Sequence, residues 1–97
     1  MPTFVILLNW TDQGIKSIKD STSRADSAKE LMGGLGVELK DVYWTLGQYD
    51  VVSIAEAPDD ESMTAAMLKL GSLGNVRSTT LRAFDRGEFE GILNRSG

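Results

Sequence analysis

The sequence contains no cysteine and no histidine. Without a thiol there is no thiolate nucleophile and no disulfide. Without an imidazole there is no Ser-His-Asp triad and no ordinary zinc or haem ligation. Oxygen ligands for a metal remain, but the Asp59-Asp60 pair lacks the spaced pattern of a calcium loop and reads as acids at a helix start. Neither metal nor cofactor is therefore expected. Long apolar runs are scarce too. The stretch PTFVILLNW (2–10) is too short to span a bilayer. It also lacks the basic flank and small-residue cleavage site of a secretion signal, so it reads as a buried strand of a cytoplasmic protein. Aromatic residues are few, and Phe4, Phe84 and Phe89 are scattered. Lys and Arg number ten against fourteen Asp and Glu, a formal charge of −4. Such a chain suits neither nucleic acid nor an anionic membrane.

What is present fits one domain over residues 1–97. A chain of 97 residues hides only roughly 60–65% of the surface its unfolded form exposes, so a partner subunit would add to a thin margin. TFVILLNW (3–10) is apolar almost without alternation, the mark of a strand buried on both faces. Thr11 or Asp12 then caps a helical region with Ile15, Ile18, Ala25, Ala28, Met32 and Leu35 on one face. The polar run DSTS (20–23) divides it into a short helix and a longer one, and Gly33, Gly34 and Gly36 end it. VELKDVYWTL (37–46) and YDVVSIAEA (49–57) are two further strands. Pro58 stops the third strand, and Asp59 caps a helix striped by Met63, Ala66, Met67, Leu70 and Leu73. VRSTTLRAF (76–84) is the fourth strand, and the tail has room for one helical turn carrying Phe89, Ile92 and Leu93 onto a neighbour.

The order β-α-β-β-α-β is ferredoxin-like: an α+β domain with a four-stranded antiparallel sheet and two helices on one face. Two helices cover one side only. A first strand apolar on both sides therefore needs further cover, and a second copy stacked about 10 Å away supplies it. A homodimer through the sheet faces, forming a barrel-like core, is the expectation.

TLGQYD (45–50) carries the candidate site. A two-residue Gly47-Gln48 turn of type II′ sets Thr45 opposite Asp50 and Trp44 opposite Val51. One face then bears Tyr43, Thr45, Asp50, Val52 and Ile54, and the other Val42, Trp44, Leu46, Tyr49, Val51 and Ser53. Asp50 serves either as an acceptor for Thr45, a turn amide or Arg82, or as a carboxylate of raised pKa in an apolar pocket. Tyr49 and Trp10 are packing residues or ligand contacts, and Lys19 is a solvated cation or an anion contact. GGLG (33–36) follows a helix and precedes a strand, the wrong setting for a dinucleotide loop.

WTDQGIK (10–16), TLGQYD (45–50), EAPDD (56–60) and LGSLGNVRSTTLRAF (70–84) together resemble the GYD-domain family of small bacterial proteins, with Gly47, Tyr49 and Asp50 at the name-giving positions. The resemblance covers nearly the whole chain. It implies a dimeric α+β barrel of ferredoxin-like protomers, assembling further in some members, and no established catalytic residues. Three functions follow, in order of preference. The first is a small-molecule-binding protein, with Trp10, Tyr43, Tyr49 and Asp50 around a cleft. The second is a cofactor-independent oxygenase or isomerase with Asp50 as general base, Tyr43 or Tyr49 orienting the substrate and Lys19 or Arg82 stabilising negative charge. The third is a structural or regulatory oligomerisation module.

Overall fold

β1 (Thr3–Trp10), rich in large and β-branched apolar residues, occupies an inner position of a four-stranded sheet ordered β2-β3-β1-β4. The computed structural model describes residues 1–97 throughout. The remaining strands are β2 (Glu38–Trp44), β3 (Val51–Glu56) and β4 (Val76–Ala83), and every pairing is antiparallel. The β2–β3 register sets Trp44 against Val51 and Tyr43 against Val52, as the sequence predicts.

The divided first region, the helix after Pro58 and the tail together give four α-helices. α1 (Asp12–Lys16) starts where the Thr11 hydroxyl accepts the Gly14 N–H at 3.1 Å. The break that follows lies at Ser17 and a single 3-10 turn, Ile18–Asp20, and α2 spans Ser21–Gly33. The region is thus split into a short helix and a longer one as the sequence predicts, with Asp20 ending the break and Ser21, Thr22 and Ser23 opening the second helix. Its serines suit a first turn because their hydroxyls compete for backbone groups, and the Ser23 hydroxyl donates to the Asp20 carbonyl at 2.9 Å. The break rotates the apolar face, so Met32 enters the core while Ile15 and Ile18 remain exposed. α3 (Asp60–Ser72) begins with the Asp59 carboxylate accepting the Ser62 N–H at 2.7 Å.

The tail forms a helix of ten residues, α4 (Arg86–Arg95), where the sequence suggests one turn. The cause is a reciprocal cap. Asp85 accepts from the Glu88 N–H at 2.7 Å, and Glu88 accepts from the Asp85 N–H at 3.1 Å. No α4 residue is buried, and the helix makes almost no contact with the rest of the chain.

On the helix-covered side of the sheet, Phe4, Ile6 and Leu8 pack with Leu39, Val51 and Ala55 against Met32, Val37, Met63 and Ala66. The opposite side has no layer of its own. There the register aligns Tyr43, Val52, Leu7 and Thr79 in one cross-strand row and Asp41, Ile54, Val5 and Leu81 in the next. Val5, Leu7, Val52 and Ile54 are only half-buried, and Tyr43 and Leu81 are exposed. Polar groups bound this band: Arg77 pairs with Asn9 at one end, and Lys40 bridges Glu38 and Glu56 at 3.3 Å each at the other. The Glu38 bond, followed by that from Glu56, holds the Lys40 ammonium above its ordinary pKa.

Candidate functional site

The Thr45–Asp50 connection is longer than a two-residue turn. The Thr45 N–H donates to the Asp50 carbonyl at 2.9 Å, but the Thr45 hydroxyl donates to the Tyr49 carbonyl at 2.6 Å and the Asp50 N–H turns to the Leu8 carbonyl at 2.9 Å. Leu46 through Tyr49 therefore form a four-residue loop with Leu46 fully exposed. Two added residues preserve alternation, which is why the predicted faces survive for Val42, Tyr43 and Trp44 in β2 and for Val51, Val52, Ser53 and Ile54 in β3, while Leu46 and Tyr49 pass into the loop. Gly47 sits at φ +123°, a conformation that glycine adopts without the Cβ penalty.

Asp50 joins this loop to β1. Pairing between β1 and β3 ends at Leu8–Val51 while β1 continues two residues further beside β4. The Trp10 N–H has thus outrun its strand partner, and Asp50 Oδ2 accepts it at 3.0 Å. The acceptor role is the structural alternative foreseen for Asp50, although the donor is the Trp10 amide and not Thr45 or Arg82.

The bond fixes Trp10 at one end of a cleft of about 150 Å³ between the sheet and the helices. Its walls are mainly apolar, with Ile6 and Leu8 from β1, Leu31 and Met32 from α2, and Val42 and Trp44 from β2. Trp44 is part-exposed, and its indole N–H donates to the Ser21 hydroxyl at 2.9 Å, tying β2 to the start of α2. Arg24 also lines the cleft, but its guanidinium is engaged by the Ser17 carbonyl (3.1 Å), the Ser17 hydroxyl (2.8 Å) and the Gly14 carbonyl (3.1 Å).

Of the predicted site residues, the structure brings Trp10 and Asp50 together, with Tyr49 next in sequence in the adjoining loop. Tyr43 lies on the opposite, open side of the sheet beside Val52. Lys19 is exposed on the 3-10 turn. Arg82 pairs with Phe4, six residues along β1 from Trp10, which is roughly 20 Å of strand. Its guanidinium covers the Phe84 ring at 4.4 Å and the Phe4 ring at 5.7 Å, and meets Glu88 at 3.6 Å. Arg82 thus ties β4 to the start of α4.

Trp44 and Ser53 line the cleft without having been singled out from the sequence. The same alternation that places Tyr43 outward places Trp44 and Ser53 on the helix side with Trp10, so the register held that signal. Gly14 accounts for two sequence blocks at once, because WTDQG docks on LGN. The Thr11 N–H and hydroxyl reach the Asn75 and Gly74 carbonyls (3.1 and 2.5 Å), and the Gln13 amide reaches the Leu73 carbonyl at 3.1 Å. A Cβ on Gly14 would run into the Asn75 carbonyl.

Fold and cleft together define a class: small α+β proteins of ferredoxin-like type, with one helix-covered face. The family model described as the GYD domain matches residues 4–93, and the chain belongs to that family. It is 38% identical over 84 residues to the "Glutamine synthetase and cystathionine beta-lyase binding protein" of Thermus thermophilus, covering 86% of this chain and 88% of that one. The crystal structure of MtbAldR superposes with a TM-score of 0.68 at 15% identity, over 88% of this chain but 52% of that one, so this fold spans about half of MtbAldR. TTHA0845 from Thermus thermophilus gives a TM-score of 0.58 at 25% identity, over 88% of this chain and 95% of that one. No helix of the chain is long and apolar enough to cross a membrane.

Proposed function

We propose that this GYD-domain protein is a homodimeric binding protein of bacterial metabolism that docks on enzymes and holds a small molecule in its cleft. The observation that carries the reading is the pair of apolar surfaces left without cover, the open sheet face and α4. A polar-rimmed apolar band of this kind is a common association surface. Two copies stacked through it satisfy both sheets at once. α4 then projects from the dimer with Phe89, Ile92 and Leu93 spaced for one helical face, a form suited to a groove on another protein. The name of the relative from Thermus thermophilus supports enzymes as the partners, with glutamine synthetase and cystathionine beta-lyase the first to try.

The test is co-elution with purified glutamine synthetase and cystathionine beta-lyase by size exclusion with light scattering. The reading expects one of them to carry the protein into a larger complex, and expects Phe89→Ser to release it without unfolding the sheet. Separate elution of both enzymes from a well-folded protein at tens of micromolar, well above the affinity range of specific regulatory complexes, contradicts it.

A further inference from the structure

The cleft contains one nearly buried polar group that the fold leaves uncommitted. Ser53, on β3 between Ile6 and Val42, is 3% exposed and lines the cleft. No side-chain polar atom of the chain is wholly sealed off without a partner, so the little surface that the Ser53 hydroxyl keeps is what it presents to the cleft. Of the other polar groups that line the cleft, Ser27 is exposed on the outer side of α2, and Asn75 accepts from the Gln13 amide. Ser21 holds the Trp44 indole, and Arg24 is taken up by carbonyls at the end of α1. A hydroxyl with so little contact with solvent and no hydrogen bond within the chain gains from a partner that enters the cleft. Water is a poor substitute, because a stably held water needs two to four polar partners, and the walls around Ser53 are aliphatic and aromatic.

Size and charge narrow the occupant further. An apolar cavity of about 150 Å³ is large enough for benzene and stays dry when empty; this cleft is of that volume, about 150 Å³. No acidic side chain lines it to receive a cation, and its one cation is already committed. We propose that the cleft binds a compact, uncharged, ring-sized apolar molecule carrying one hydroxyl or carbonyl, which completes the hydrogen bonding of Ser53. This inference rests on the reading of the cleft as a ligand site and adds the chemical class of that ligand.

Both tryptophans of the chain, Trp10 and Trp44, line the cleft, so intrinsic fluorescence reports its occupancy directly. The experiment titrates the protein with benzyl alcohol, toluene and benzoate, checked by calorimetry. Benzyl alcohol should bind saturably and tightest. Toluene should bind about five- to tenfold more weakly for want of one neutral hydrogen bond, and benzoate more weakly still. Ser53→Ala should bring benzyl alcohol and toluene to equal affinity. Ala28→Leu, which fills the cleft from α2, should abolish binding of both with the circular dichroism unchanged. Benzoate binding as tightly as benzyl alcohol, or an unaltered preference in Ser53→Ala, overturns the chemical class while leaving a ligand site in place. Failure of all three probes to bind the folded protein overturns the ligand site itself.

Discussion

Asp50 stands where a strand has lost its neighbour. Beyond Leu8 the backbone of β1 has no β3 residue opposite it, and the carboxylate supplies the missing acceptor for the Trp10 N–H. An acceptor in that position needs an oxygen, not a charge. Asp50→Asn should therefore fold with nearly unchanged stability, keeping its carbonyl on the Trp10 amide. Asp50→Ala leaves the amide unpaired and should cost about 1–2 kcal/mol, read as a lower urea midpoint together with altered Trp10 fluorescence. Equal stability of the Ala and wild-type proteins would remove the carboxylate from this role. The residues of TLGQYD were legible as a site of consequence because glycine, tyrosine and aspartate interrupt an apolar pattern. The donor was not legible, because Trp10 and Asp50 are forty residues apart and only the sheet order brings them together. The place of Arg82 was not legible for the same reason. A formal charge in the sequence carries no coordinate along the strand, and here it lies over Phe4 and Phe84.

The elements were readable where local chemistry decides them. Pro58 followed by Asp59 announces the start of α3, and the Ser62 hydroxyl and N–H bound to the Asp59 carboxylate hold its pKa below the ordinary value. A carboxyl whose pKa is lower in the folded state stabilises the fold above its unfolded value and loses that contribution as pH falls through the folded one. Asp59→Ala should therefore lower Tm at neutral pH, and the gap to wild type should narrow as pH drops below about 4. Asp59→Asn, a comparable cap, should show little loss at neutral pH. A gap independent of pH would contradict the assignment of the charge-dependent bond. Periodicity alone misjudges other elements. The apolar spacing through Ile15, Ile18 and Ala25 suggests one buried stripe, but a 3-10 turn resets the helical phase between them. In α4 the three apolar residues look like packing for a single turn, whereas the Asp85–Glu88 cap starts a full helix.

At the scale of the molecule, the fold order was plain from the alternation of strand and helix patterns, and the incomplete cover of the sheet follows from it. A monomer of this mass exposes about 5,500 Å² by the usual scaling, whereas this chain exposes 6408 Å². The excess is on the order of the 800 Å² that one partner contributes to a standard interface. The Cα radius of gyration, 14.5 Å, exceeds the roughly 12.5 Å of a compact domain of this length, in keeping with α4 held away from the body. Sedimentation velocity of the wild type at micromolar concentration, beside Ile54→Asp on the open face, tests the central claim most directly. The account predicts a dimer for the wild type and a folded single chain for the variant. A compact wild-type monomer at that concentration, indistinguishable from Ile54→Asp, would contradict it.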